Sequence, residues 1–216
     1  MKNFLLILAL NVLALAAPVV QEHKRQITDN EFLDGPCRDI ILFFVRGTFE
    51  LGNMGLIVGP PLSAGLKNNF GDDRVATQGV DYAAGVATNF LPDNADPVGV
   101  ANMQNLFNEA ATRCPNSVVV AGGYSQGAAI THAAIAGLSD SVKSQIVGVT
   151  LFGDTRNEQD HGSIEGYPQD DLLIICNPGD LVCDGTLIIT PAHLLYTPRV
   201  PEAVAFLTEK INAAGV

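Results

Sequence analysis

The sequence predicts an α/β fold: a three-layer sandwich in which helices cover both faces of a central, mostly parallel, five-stranded sheet. Three observations predict it. Short apolar, β-branched runs recur at residues 40–45, 74–80, 117–122, 146–152 and 172–176, nearly continuous rather than alternating, as in strands covered on both faces. Helical patterns separate these runs, around 60–70, 98–113 and 126–138, and a last one lies near 201–213. Finally, Gly123-Tyr124-Ser125-Gln126-Gly127 stands where the third run gives way to the third helical pattern. A serine between two glycines at a strand-to-helix junction is a pattern that turns chemistry outward.

The first residues are excluded from that sandwich. Lys2, the apolar stretch from Phe4 to Ala16 and the small-residue end Ala14-Leu15-Ala16 fit a secretory signal peptide over 1–16. The stretch is too short to span a membrane, and no later segment is long enough either. Residues 17–25 end in Lys24 and Arg25 and read as a short propeptide, so one folded domain is expected over 26–216. The whole chain has a formal net charge of −11. Removing the leader takes away Lys2, Lys24 and Arg25 but only Glu22, leaving it more acidic still. Such a balance opposes nucleic acid and anionic membrane surfaces.

Four cysteines in a chain bound for an oxidising compartment read as two disulfides. Cys176 and Cys183 bracket a turn-rich segment that can bring its ends together, which leaves Cys37 to pair with Cys114. The latter bridge closes a long loop, for which chain entropy gives up to ~4 kcal/mol. The histidines are too scattered to complete a zinc set, and neither metal nor organic cofactor is expected.

Taken in order, the first strand leads into Arg46-Gly47-Thr48-Phe49-Glu50. Thr48 there can offer a backbone amide and a hydroxyl to a developing oxyanion, or cap the helix that follows. At the third strand's end, the sharp turn lifts the Ser125 hydroxyl clear of the backbone. The Gln126 amide opens the next helix, where unpaired N–H groups and the helix dipole favour negative charge. In open parallel sheets ligands bind beyond the carboxyl ends of the strands, where Ser125 lies.

A serine nucleophile needs a base, and the base an orienting acid. His23 falls in the leader. His132 lies seven residues along the same helix as Ser125, ~10 Å away at 1.5 Å per residue, and is expected to pack or face solvent. His161 sits in the polar stretch 153–170, read as a surface excursion. His193 remains, late in the chain. The acid should lie between Ser125 and His193. Asp180, in the turn Pro178-Gly179-Asp180 inside the Cys176–Cys183 bridge, is preferred, with Asp154 and Asp184 as rivals.

These residues resemble the cutinase family of secreted fungal serine esterases, over essentially all of the chain from Cys37 to the last helix. The matching segments are Arg46-Gly47-Thr48, Gly122-Gly123-Tyr124-Ser125-Gln126-Gly127, the stretch from Cys176 to Cys183, and Pro191-Ala192-His193. The resemblance implies a small α/β-hydrolase in which Ser125 is the nucleophile, Asp180 the acid and His193 the base. It puts Thr48 and Gln126 at the oxyanion hole and Val86, Leu187, Ile189 and Leu194 on an apolar rim. Three departures stand out: Phe49, following Thr48, adds bulk beside the acyl site; Pro178 should stiffen the acid's turn; and the compact segment after Tyr196 should give the loop beyond His193 a different shape. No helical stretch is spare to form a lid. The implied activity is hydrolysis of cutin polyester and short soluble esters by a secreted monomer. Another secreted esterase, such as an acetyl xylan esterase, or a surface-recognition protein that keeps the fold are the alternatives.

Overall fold

The structure, a computed structural model, describes residues 26–216; the expected signal peptide and propeptide lie outside the described residues. Five strands, β1 (Ile40–Val45), β2 (Val75–Gly79), β3 (Val118–Tyr124), β4 (Ile146–Phe152) and β5 (Leu172–Ile175), form one sheet in the order β2-β1-β3-β4-β5. All four neighbouring pairs are parallel. The helices are α1 (Glu31–Asp34), α2 (Gly59–Phe70), α3 (Pro97–Arg113), α4 (Gln126–Ala136), α5 (Asp140–Lys143) and α6 (Val200–Ala213).

Strand β1 illustrates why the apolar runs are continuous. Every one of its residues is buried, and side chains alternate between faces. Ile41, Phe43 and Val45 enter the core built with Met103, Phe107, Ile130 and Ile135 of α3 and α4. Ile40, Leu42 and Phe44 enter the opposite core, with Leu62 and Leu66 of α2 and Leu207 and Ile211 of α6. Each such side chain contributes about 1.5–3 kcal/mol from its burial. With both faces to cover, α2, α3, α4 and α6 are all committed to the sheet or to each other.

Helix α3 starts where Asp96 accepts from the amides of Val98 and Gly99 at 2.9 and 3.2 Å, with Pro97 as its first residue. Helix α4 is buried almost all round, so small residues such as Ala128, Ala129 and Ala134 let it lie close to the sheet. The disulfides pair as expected, Cys37 with Cys114 and Cys176 with Cys183.

Three expectations need correction. The third strand does not stop at 122 but runs to Tyr124, because Gly122 and Gly123 pair with Phe44 and Val45 on one side and Thr150 and Leu151 on the other. Glycine's low strand propensity hid this, since central ladder bonds override it. The third helix ends at Ala136, and the short α5 follows. The polar stretch 153–170 is not simply a surface excursion. Its Asp154, Thr155, Ile164 and Tyr167 are all buried.

Candidate active site

Ser125 joins β3 to α4 with φ 56° and ψ −122°, a region that costs a non-glycine residue of order 1–3 kcal/mol and persists only when its surroundings fix it. They do. The Ser125 amide donates to Phe152 O at 2.9 Å. A Cβ on Gly123 would lie 2.5 Å from Gly127 O, and one on Gly127 would lie 2.1 Å from Val45 O. Only glycine fits at either position, and the turn between them is correspondingly tight.

His193 stands in a 3₁₀ turn, Pro191–Leu194, whose proline pre-sets the first dihedral. Its Nε2 is 3.0 Å from Ser125 Oγ. Its Nδ1 lies 3.0 and 2.9 Å from the two oxygens of Asp180. All three side chains are buried, Ser125 the least so at 8% exposure. The structure therefore brings Ser125, His193 and Asp180 into one hydrogen-bonded line.

Asp180 is held from several directions. Its amide donates to Asn177 O at 3.0 Å, and its Oδ1 accepts from Val182 N at 3.0 Å. Tyr196 donates its hydroxyl to Oδ2 at 2.5 Å. Burial alone would raise the carboxyl's pKa, but the bonds from His193, Tyr196 and Val182 outweigh it and hold it below the usual range. Asn177 donates from its side-chain amide to Ala192 O and Leu195 O at 2.9 and 3.1 Å, tying the acid's turn to the base's turn. Tyr124 stacks on the His193 ring at 5.3 Å and donates to His193 O at 2.8 Å. Tyr124 and Asn177 lie inside the matching segments and Tyr196 outside them, and sequence reasoning assigned none of the three a role.

The loop bearing Thr48 is equally determined. Glu50 Oε2 accepts from Gly47 N at 2.8 Å, and Oε1 accepts from Leu56 N and Ile57 N at 2.8 and 2.9 Å. Arg46 donates to Glu50 O and Tyr82 O at 2.8 and 2.7 Å. Phe49, at φ 63°, gives its amide to Ala84 O at 2.9 Å, while its ring projects 75% exposed. The amides on either side of Thr48 are thus occupied. Its hydroxyl accepts from Asn89 Nδ2 at 3.0 Å, which leaves its own proton to donate elsewhere. Gln126 supplies the first amide of α4, which has no intrahelical acceptor. Its side chain turns aside to Thr88 Oγ1 and Gly85 O, at 2.8 and 3.2 Å.

A cavity of about 260 Å³ opens over Ser125 and His193, lined by Thr48, Phe49, Phe90 and the four expected rim residues Val86, Leu187, Ile189 and Leu194. Those four are between 38% and 55% exposed. Phe49 and Phe90 extend the apolar mouth beyond what the resemblance implied. A larger polar cavity of about 500 Å³ lies elsewhere, beside His132, and does not include Ser125.

The rival acids fall away from the base. Asp154 is buried against His132, its Oδ2 2.8 Å from Nε2. Asp184 is exposed. His132 is packed rather than solvent-facing, and His161 is exposed as expected. Among the described residues no cluster of His, Cys, Asp or Glu is arranged to hold a metal ion, and no helix is long and apolar enough to cross a membrane.

Comparison with known proteins bears on this geometry. A family profile described as Cutinase matches residues 36–211. The chain is 46% identical over 224 residues to a probable cutinase 1 of Aspergillus niger, covering 99% of this chain and 86% of that protein. It is 49% identical over 211 residues to a probable cutinase 3 of Neosartorya fischeri, covering 96% and 97%. Among solved structures, Trichoderma reesei cutinase in complex with a phosphonate inhibitor superposes with a TM-score of 0.77 at 33% identity, over 87% of this chain and 81% of that one. An acetyl xylan esterase shares the fold at 18% identity and a TM-score of 0.65, over 81% and 99% of the two chains.

Proposed function

The chain belongs to the cutinase family, and on that premise we propose that it is a secreted serine esterase that hydrolyses cutin polyester and short soluble esters through Ser125, His193 and Asp180. The observation that carries the reading is the unbroken line Asp180–His193–Ser125 at the floor of an apolar cavity.

In the first half-reaction Ser125 Oγ attacks the ester carbonyl carbon while its proton passes to His193 Nε2. Asp180 holds the ring so that Nδ1–H faces the carboxylate and Nε2 faces the serine, and it stabilises the imidazolium that forms. The carbonyl oxygen becomes an oxyanion, met by the amides of Thr48 and Gln126 and by the Thr48 hydroxyl that Asn89 orients. Collapse expels the alcohol, which takes the proton from His193 Nε2. Water then adds to the acyl-enzyme by the same steps, releasing the acid and restoring Ser125.

The rim of Val86, Leu187, Ile189 and Leu194, enlarged by Phe49 and Phe90, suits a waxy polyester better than a hydrated polysaccharide. Both disulfides fit an oxidising, extracellular site of action. The chain acts as a monomer, and its net charge of −11 opposes association with nucleic acid. A chain-length series of soluble esters, run beside monomer release from cutin, tests the reading. Turnover of short acyl esters together with cutin hydrolysis is expected. Activity confined to acetylated polysaccharide would contradict it.

A further inference from the structure

His132 and Asp154 are 4% and 0% exposed, and the reaction described above uses neither. The imidazole Nε2 is 2.8 Å from Asp154 Oδ2. Its Nδ1 is 3.1 Å from Asp160 Oδ2, off the line of its N–H, so that contact is an ion pair rather than an aligned hydrogen bond. Burial alone would lower the histidine's pKa, but Asp154 first and Asp160 second overcome it and push it up to about 9. Asp160 in turn pairs with Arg156 at 2.6 Å, while Asp93 and Glu165 face the same cavity. A buried ion pair adds little net stability over an apolar pair of the same volume. Its contribution lies instead in what it holds.

What it holds is the ground beneath the reacting groups. Asp154 sits between Phe152, whose carbonyl accepts the Ser125 amide at 2.9 Å, and Thr155, whose hydroxyl donates to Ser125 O at 3.4 Å. Beside it, Gly153 presses on the base: a Cβ there would lie 2.8 Å from His193 Cε1. His132 stands two turns down α4, the helix that Ser125 opens. Arg156, whose amide donates to Asp154 Oδ1 at 2.9 Å, also donates to Pro92 O at 3.1 Å, just beyond the rim residue Phe90. We propose that the His132–Asp154 pair is a positioning clasp: it closes a ring from Ser125 along α4 to His132, across to Asp154 and Thr155, and back to Ser125, fixing the elbow against the segment that backs His193. The proposal rests on the reading of Ser125 as nucleophile.

The clasp is strongest while the His132 ring is charged. Above about pH 9 the ring becomes neutral; Nε2–H can still face Asp154, but the buried carboxylate loses its countercharge and Nδ1 no longer offers a proton toward Asp160, so the ring of contacts loosens. Every cysteine is in a disulfide, and burial pushes Tyr124 and Tyr196 well above their usual range, so none of these titrates in that window.

The test measures kcat and KM for a soluble short-chain ester against pH, in wild type and in His132→Gln, with active sites counted by a phosphonate and the labelled residue identified by mass spectrometry. Wild type is expected to lose kcat between about pH 8 and about pH 10 with KM unchanged. The glutamine variant is expected to show a flat alkaline profile and a plateau about tenfold or more lower, since ångström-scale misplacement costs up to ~10²-fold. A lower melting temperature with kcat per active site and alkaline profile unchanged would make the pair merely structural and overturn the proposal. Should the variant fail to fold, the wild-type profile decides: no alkaline loss of kcat overturns the clasp. Labelling of wild type at a residue other than Ser125 would instead overturn the reading of the site itself.

Discussion

The Tyr196 hydroxyl donates to Asp180 Oδ2 at 2.5 Å, so one of the two oxygens that face His193 Nδ1 also carries a second, uncharged donor. Tyr196 is wholly buried, edge-on to Phe152 and Tyr124, and its own oxygen accepts from Asn177 N at 3.0 Å. Tyr196→Phe removes one bond from the carboxylate and strands the Asn177 amide. Hydrogen bonds to charged groups are worth about 1.5–3 kcal/mol. Turnover should fall about tenfold, with a lower melting temperature. Steady-state kinetics with wild-type turnover would mean that the tyrosine only fills space.

Asp180 itself should matter far more. Asp180→Asn should lower kcat by about 10⁴-fold, as the loss of the orienting acid does in a serine protease. The sign of its effect on stability follows from its depressed pKa. A carboxyl more acidic in the folded than in the unfolded chain stabilises above the unfolded value of about 3.9, and that stability is lost as pH falls through the folded value. Acid unfolding below about pH 4, followed by circular dichroism, should therefore be steeper in wild type than in Asp180→Asn. Asp154→Asn should leave far more turnover than Asp180→Asn; the reverse order would hand the acid's role to Asp154.

The bridge Cys176–Cys183 encloses Asp180 within a separation of 7 residues, whereas Cys37–Cys114 spans 77. Opening the short bridge should loosen the acid's turn and cost activity before it costs global stability. Graded reduction, with thiols mapped by mass spectrometry and turnover followed in parallel, checks this. Full turnover with the short bridge open would refute its positioning role.

The line from Asp180 to Ser125 was largely legible in the sequence because its parts are local. The Gly123 and Gly127 pair, Pro191 before His193 and the cysteines around Asp180 each act on the few residues beside them. Tyr124, Tyr196 and Asn89 were given no role, because each acts across the fold: Tyr124 and His193 are 69 positions apart, Asn89 and Thr48 are 41. Asp154 stayed a rival to Asp180 for the same reason. A strand-end aspartate suits an orienting acid, and only the packing of α4 places it on His132 instead. The strand content of Gly123 was hidden because propensity speaks for the isolated residue, not for one bonded on both sides.

The apolar rim should separate polymer from soluble substrate. Leu187 and Ile189 line the mouth and are 38% and 55% exposed, so replacing both by serine leaves the core intact. Hydrolysis of a polyester film should weaken much more than turnover of a soluble butyrate ester, because only the polymer needs the rim to adsorb. Equal losses on both substrates would mean that the rim shapes the acyl site rather than the surface contact.

The central claim is that Ser125 is the nucleophile, and the most direct measurement is covalent labelling by an organophosphonate, with the modified peptide identified by mass spectrometry. The Ser125→Ala variant is run alongside for turnover and circular dichroism. A single adduct on Ser125, in step with loss of activity, together with a folded alanine variant that has essentially no esterase turnover, is the predicted result. An adduct on any other residue, or substantial turnover by folded Ser125→Ala, would contradict it.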